Sequence, residues 1–418
     1  MTELSPRARR EAAGTLLVSR MVYAFNWYNV GAVFSLLETG LHAGTEQIGI
    51  VLGTFLIGVG LFQVPAGLAS IRYGARRVSI FALLLMGVAG VASAFSPSWQ
   101  ILALLRFIAG VGAAFFFSPA LSLVASYYRT GHRGPVIGLY NGGFAIGGTV
   151  GIFGGAALGY AYGWPIALLV GGIGLLVIAL VAFAILPTPT HEGQPQLAVI
   201  WSASRQVLRS RSIWALSLAL TGFWAAIYIV AQYFVAYGTH VHPSWGLGVI
   251  AALPSVVVFL SFPGGPVGGW LGERAGDPRR LIALFAVVTG LSVLAIPFSP
   301  LWALWGICAL LGFTDGVVFA VLYLIPTYLP ETHGEGLALG VAVVNSIQVF
   351  LGSGLAIAFG FIATDWGYFD AWIITAVLSL VMLPLLVLVR GRPSEPTALG
   401  DEPSLDVGAR SLPAASGE

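Results

Sequence analysis

The chain has 418 residues, of which 57% are hydrophobic and only 9% are charged. Soluble proteins carry about 25% charged residues, so this chain lacks the polar groups to cover its own surface in water. The sequence therefore predicts a membrane protein and excludes a soluble enzyme or a nucleic-acid-binding protein. All 19 basic residues are Arg, and the single cysteine, Cys308, excludes an intrachain disulfide.

A helix that crosses a bilayer needs about 20 mostly apolar residues. Taken in chain order, twelve runs meet this requirement: 13–37, 47–70, 77–95, 99–127, 134–160, 164–186, 213–237, 246–270, 279–297, 300–328, 336–361 and 368–389. Three arginines precede the first run and no small-residue cleavage site follows it. We therefore expect this run to remain as a membrane helix.

The long polar segment between the sixth and seventh runs divides the spans into two sets of six. We predict a cytoplasmic N-terminus at 1–12, a first six-helix bundle at 13–186, a cytoplasmic linker at 187–212 and a second bundle at 213–389. The Pro-, Ser- and Gly-rich tail at 390–418 is expected to be disordered.

A repeat relates the two sets. The stretch Gly67–Arg77 (GLASIRYGARR) returns in altered form at Gly269–Arg279 (GWLGERAGDPR), 202 residues later. The same offset pairs Gly110 with Gly312, Phe117 with Phe319, and Trp164 with Trp366. A fixed offset across many landmarks indicates two copies of one unit of roughly 200 residues.

The placement of arginine predicts the orientation. Arginines cluster before the first span, in every second loop and in the tail, whereas the opposite loops hold acids such as Glu38, Glu46 and Asp365. Because positively charged loops stay in the cytoplasm, both termini are predicted to be cytoplasmic. The loop with Glu331, His333 and Glu335 is an acidic exception.

Twelve spans, two halves and the two loop copies resemble the major facilitator superfamily, over about residues 12–390. The family signature between helices 2 and 3 reads Gly-x-Leu-x-Asp-Arg-x-Gly-Arg-Arg. The second copy fits it with Gly269, Glu273, Arg274 and Gly276. The first copy keeps Gly67, Arg72, Gly74, Arg76 and Arg77, but Ile71 replaces the acid.

The resemblance implies an all-α fold of two pseudo-symmetric six-helix bundles around a central site, with gating loops at these two copies. In the family the acid helps to lock the halves in the outward-open state. With Ile71 in its place, we expect a lopsided cytoplasmic latch. Arg106, followed by Gly110 and Gly112, resembles the Arg-bearing motif of helix 4, and the Gly-rich fifth run also fits the family.

Three charged residues lie well inside predicted spans, away from their ends: Arg20, Arg106 and Asp315. A charge in the bilayer centre costs at least ~2.5 kcal/mol on insertion scales, so it normally faces a cavity or a partner. Arg106 could hold an anionic substrate or shape proton coupling, or bond to carbonyls of a neighbouring helix. Arg20 could line the cavity, followed on its face in one stripe by Tyr23, Trp27 and Phe34, or extend to the headgroups. Asp315 is the candidate proton-coupling group, and the alternative is a packing pair.

Neutral polar and aromatic residues extend the candidate substrate site. Each is equally compatible with simple contact between helices. The set comprises Gln63, Asn141, Trp224, Tyr228, Gln232, Tyr323, Asn345 and Gln348.

Two cavity arginines against one aspartate favour a small organic anion, such as a carboxylate. Residues 138–143 (GLYNGG) resemble the nitrate/nitrite porter branch, but that branch needs arginines where this chain has Gln63 and Gly265. This difference argues against nitrate. The alternative is a multidrug or metabolite efflux antiporter with a hydrophobic cavity, which the aromatic content would suit.

An enzyme is less compatible with the sequence, because all six histidines lie in predicted loops and no metal-ligand pair lies in a span. A sensor would need a folded cytoplasmic domain, for which the loops leave no room. We therefore expect a monomeric secondary transporter in the plasma membrane of a prokaryote. It would bind a small molecule and, in the proton-coupled case, H⁺, with no cofactor and no metal.

Overall fold

A computed structural model describes residues 5–128, 133–188, 205–322, 325–329 and 336–389. The expected tail at 390–418 and most of the predicted linker lie outside the described residues, as do Tyr323 and the acidic loop residues Glu331, His333 and Glu335.

The described chain is built from long α-helices. The first half contains α1 (Pro6–Ala32), α2 (Phe34–Leu41), α3 (Thr45–Tyr73), α4 (Ala75–Ser93), α5 (Trp99–Ser126), α6 (Arg133–Tyr162) and α7 (Trp164–Ile185). The second half contains α8 (Arg211–Val241), α9 (Leu247–Arg274), α10 (Pro278–Ala295), α11 (Leu301–Leu322), α12 (Gly336–Asp365) and α13 (Tyr368–Val381). The prediction of an all-α membrane fold is confirmed.

Eleven segments of the described chain are long and apolar enough to cross a membrane. The first predicted span is not among them, because Arg20, Asn26 and Asn29 lower the hydropathy of α1. The backbone also breaks at Val33, which separates α1 from α2.

Two other predicted spans change helix type before they end. The span predicted at 300–328 is an α-helix as far as Leu322, and a 3-10 turn occupies Ile325–Tyr328. The span predicted at 368–389 is confirmed at Tyr368–Leu388, where the α-helix ends at Val381 and a 3-10 turn covers Leu383–Leu388. Pro326 and Pro384 lie in these turns, and proline removes the backbone donor that a continuing helix needs.

The halves meet along α3 against α12, α6 against α9, and α1 against α8. Glycines allow this close approach. A Cβ on Gly60 would lie 2.7–2.8 Å from the backbone and Cβ of Phe350, and one on Gly49 would lie 3.3 Å from the Cα of Gly360. The interface between the halves is therefore set by close backbone packing.

The bundle has two ends, which we call the His240 face and the Arg72 face after exposed residues at each. Near the His240 face, polar contacts join the halves: Glu38 with His240, Ser35 with Thr239, and Glu46 with Thr364. Near the Arg72 face, a Cβ on Gly67 or Gly269 would meet open space. The halves are therefore closed together at the His240 face.

The two loop copies differ in register by one residue. Gly74 (φ +86°) is the N-cap of α4, whereas Asp277 takes that place before α10. Arg76 donates to the carbonyl of Leu186, and Arg279 donates to the carbonyl of Val389, in each case just after the last helix of its half. Arg76 is therefore the structural counterpart of Arg279 in the repeat. The fixed offset of 202 residues, which pairs Arg279 with Arg77, was wrong at this position.

Candidate functional site

Arg20 lies in a box of aromatic rings. Its side chain is only 5% exposed. The guanidinium carbon lies 4.6–5.4 Å from the centroids of four rings, those of Tyr23, Phe117, Tyr140 and Phe144. The rings come from α1, α5 and α6, and their electron-rich faces stabilise a cation that has left water. The Nε and Nη1 atoms of Arg20 have no hydrogen-bond partner.

Arg106 is also buried, at 3% exposure, but it has a backbone partner. Its Nη2 donates to the carbonyl of Asn26 at 3.1 Å, and its guanidinium carbon lies 4.3 Å from the ring centroid of Phe55. Asn26 in turn donates to the carbonyl of Gly171 at 3.0 Å. Arg106 thus ties α5 to α1 and α7, as the structural alternative predicts, while its Nε remains unpaired.

A row of rings separates the two cations. Tyr23 and Trp27 lie 5.9 Å apart between ring centroids, and Trp27 and Phe55 lie 4.9 Å apart. Arg106 and the box residue Phe117 are eleven positions apart on α5, which is about 16 Å along the helix. The cations therefore lie at different depths beside one aromatic wall.

The second half contributes the candidate residues Trp224, Tyr228 and Gln232, which are spaced by four along α8 and form one stripe. Trp224 and Tyr228 stack with ring centroids 5.5 Å apart, and Gln232 donates through Nε2 to the carbonyl of Trp27 at 2.6 Å. The structure thus brings this stripe against the aromatic wall of α1.

The remaining predicted residues divide by burial. Gln63 and Gln348 are 3% and 1% exposed, and each has an amide atom without a partner. Asn345 is half-buried and Asn141 is exposed. Tyr323 lies outside the described residues. The structure gives these residues no common contact.

Asp315 on α11 is half-buried. No hydrogen bond or ion pair joins it to another residue in the described parts of the chain. The described residues therefore show no packing pair for Asp315 in this conformation.

Several functional candidates were missed in the sequence. Tyr140 and Phe144 complete the Arg20 box, and Phe55 stacks against Arg106. Tyr140 and Phe144 are one turn apart on α6, a spacing that places them on one face and could have indicated an aromatic contact. Conversely, Phe34 lies beyond the break at Val33 and packs on Tyr233, outside the stripe predicted for α1.

Several buried polar atoms have no hydrogen-bond partner among the described residues. Buried polar groups in proteins almost always have partners, so such exceptions call for a ligand or water. Those near the candidate residues belong to Arg20, Trp27, Gln63, Arg106, Tyr140, Tyr228, Gln232 and Gln348, and others belong to Asn29, Ser79, Ser96, Tyr368 and Trp372. Among the described residues, Arg20 and Arg106 are the fully buried charged groups, so the local charge is positive.

The predicted gating-loop residues at the Arg72 face lie at the surface, away from the buried candidate residues. Arg72, Glu273, Arg274 and Gly276 are exposed, and Arg274 covers the ring of Trp270 with its guanidinium carbon 4.4 Å from the centroid. Within the described parts of the chain, no group of three or more His, Cys, Asp or Glu side chains could hold a metal ion.

Comparison with known proteins assigns the architecture to a family. The family model described as "Major Facilitator Superfamily" matches residues 16–353. The chain is 28% identical to the nitrite extrusion protein of Bacillus subtilis (strain 168) over 323 residues, which cover 74% of this chain and 77% of the relative.

Two further similarities extend this result. The chain is 24% identical to the cis,cis-muconate transport protein of Acinetobacter baylyi, over 85% of this chain and 89% of the relative. A bacterial homologue of the human lysosomal transporter Spinster, in an inward-facing and occupied conformation, has the same fold. Its TM-score is 0.74 at 15% identity, with 92% of this chain and 97% of that chain covered.

Proposed function

The chain belongs to the major facilitator superfamily, whose relatives here are transporters, and from this premise we propose that it moves a small organic anion, such as a carboxylate, by alternating access. The observation that carries the proposal is the pair of buried guanidiniums with unpaired N–H groups, which lack a carboxylate partner among the described residues. Leaving such groups unpaired in a low-dielectric site is costly, so an anion that fills them gains affinity.

The Arg20 box is the stronger anion candidate of the two. Arg106 already donates to the Asn26 carbonyl, whereas Arg20 keeps two nitrogen atoms without partners. The surrounding rings exclude water and give a flat apolar surface for an organic substrate. The name of the muconate relative agrees with an unsaturated carboxylate, and the name of the nitrite relative agrees with a smaller anion.

The direction of the membrane is also a proposal. The Arg72 face carries the arginine-rich loops, so we place it in the cytoplasm of a prokaryotic plasma membrane, with the His240 face outside. In that orientation the described contacts close the outer side. Both loop copies would then lie at the cytoplasmic entrance and act as its gating elements, as their resemblance to the family signature implies.

Coupling to protons would use Asp315. The residue is half-buried and has no ion pair with a described residue. A carboxyl in this position could bind a proton in one conformation and release it in the other. Asp315→Asn is expected to abolish the response of uptake to an imposed pH gradient while substrate binding persists. An unchanged response would contradict the role.

A binding screen tests the anion proposal. Purified protein would be heated with benzoate, cis,cis-muconate, nitrite, sugars, amino acids and cationic drugs, and the melting temperature recorded. We expect an acid to raise it, since a ligand at 100 times its Kd adds about 2.7 kcal/mol of stability. Stabilisation by cationic drugs alone would instead support the efflux alternative.

A further inference from the structure

At the His240 face, Glu38 and His240 form a polar contact that crosses the two halves. Glu38 Oε2 lies 3.2 Å from His240 Nε2, and its other oxygen accepts from the Thr45 hydroxyl at 2.6 Å. Glu38 belongs to α2, and His240 lies near the end of α8. The contact therefore exists only while the halves are together at this face.

The second ring nitrogen of His240 is also occupied. Nδ1 lies 2.8 Å from the Ala236 carbonyl oxygen, which can only accept a hydrogen bond. A neutral imidazole has one donor and one acceptor nitrogen. With Glu38 ionised, a neutral His240 would therefore place a lone pair against either the carbonyl or the carboxylate. Both contacts are favourable only if one additional proton resides on the His240–Glu38 pair.

The site is open to protons from solvent. The His240 side chain is 43% exposed and that of Glu38 is 12% exposed. Both line an open cavity of about 620 Å³ together with Glu46 of α3 and Tyr368 of α13. The Tyr368 ring lies 5.9 Å from the His240 ring, and Tyr160 of α6 interacts electrostatically with Glu38. No positively charged side chain competes with His240 among these described neighbours.

We propose that the His240–Glu38 pair is a proton-binding site whose occupancy holds the two halves together at the His240 face. Closing this face takes up one proton, and opening it releases the proton to the solution on that side. By linkage, the closed form is favoured at pH values below the pKa of the separated histidine, about 6.5, and loses this advantage as the pH rises.

A neighbouring contact provides a matched control. The Ser35 and Thr239 hydroxyls lie 2.7 Å apart across the same two halves, one residue from His240, and neither titrates in this range. Thr239→Val should lower the ratio of closed to open forms by the same factor at every pH. His240→Arg carries a permanent charge and should keep the face closed from pH 5 to 9.

Double electron–electron resonance measures closure directly. Spin labels would be placed at Tyr162 and Trp366, which are 72% and 67% exposed at the His240 face on opposite halves, in a Cys308→Ala background. In nanodiscs without substrate, we expect the ratio of closed to open forms to fall by about fivefold between pH 5.5 and 8, as for a pair worth ~1 kcal/mol. The assay needs no transported ligand, so its outcome is independent of the anion proposal.

Variants of the pair test whether His240 and Glu38 are the groups that titrate. Glu38→Gln supplies an amide donor to a neutral His240 Nε2, so the dependence on pH should disappear while closure persists. The proposal is overturned if the parent ratio does not change with pH, or if His240→Arg and Glu38→Gln keep the parent's dependence. A shift of the parent's pH midpoint in Thr239→Val would also overturn it, because closure would then titrate through another group.

Discussion

Substitutions at two glycines on α3 test the stability of one half and the contact between the halves separately. A Cβ added at Gly58 would lie 2.4 Å from the Phe107 carbonyl of α5, in the same half. A Cβ at Gly60 would lie 2.7–2.8 Å from the backbone and Cβ of Phe350 on α12, in the other half. Gly58→Ala and Gly60→Ala are chemically identical changes, two residues apart, with different neighbours.

The steric clash of the added Cβ should have a different effect at Gly58 and at Gly60. Overpacking typically costs 1–3 kcal/mol when backbone must move. At Gly58 this cost falls on the fold, and the thermal stability should decrease. At Gly60 the halves can separate, so the same cost should lower the ratio of closed to open forms by about 5- to 150-fold.

The assay combines thermal unfolding with the distance between labels at Tyr162 and Trp366. Gly354→Ala is the control, because its Cβ would meet open space and should neither lower the melting temperature nor change the label distance. If Gly60→Ala lowered the melting temperature as much as Gly58→Ala and left the label distance unchanged, the assignment of Gly60 to a contact that opens would be refuted.

Three further predictions concern the loops. Arg76→Ala and Arg279→Ala should each destabilise their half by about 1.5–3 kcal/mol, because each loses a charge-assisted bond to the carbonyl after its last helix, whereas Arg77→Ala should change thermal unfolding little. The Arg279 guanidinium lowers the pKa of the Asp277 carboxyl, so this pair stabilises the protein above the unfolded pKa of about 3.9. That contribution is lost as the pH falls through the lower folded value, and the melting temperatures of the parent and Asp277→Asn should then converge. Gly367→Ala should cost about 1–3 kcal/mol in thermal unfolding, because Gly367 has φ +95° and ψ +163°, a region that is almost exclusive to glycine, whereas Gly354→Ala, at a helical position with open space, should not destabilise.

The helical architecture could be predicted because it follows from local composition. Apolar runs of bilayer length and the repeated Gly67–Arg77 stretch required no knowledge of contacts between distant residues. The one-residue change of register in the second loop was missed, since Gly74 and Asp277 begin their helices by different chemistry. A positive-φ glycine serves in one copy and a capping carboxylate in the other.

The sequence indicated the two charged residues of the candidate site, but it did not indicate which aromatic rings surround them. Arg20 and Arg106 were found because a charge in an apolar run is conspicuous in the sequence. The rings around Arg20 lie on three helices, and an apolar run does not show which aromatic residues face inward. The Glu38–His240 contact was missed for the same reason, because its partners lie in different halves and approach only in the folded protein.

The central claim is that a buried, unpaired guanidinium recognises the charge of an organic anion. Its most direct test is the affinity, measured by isothermal titration calorimetry, of the acid that gives the largest thermal shift, compared with that of its uncharged methyl ester. The parent should bind the acid about 10- to 150-fold more tightly than the ester, which is the value of a charge-assisted hydrogen bond. Arg20→Gln should remove most of this preference, whereas Arg77→Gln should keep it. Equal affinities for acid and ester in the parent, or an unchanged preference in Arg20→Gln, would contradict the account.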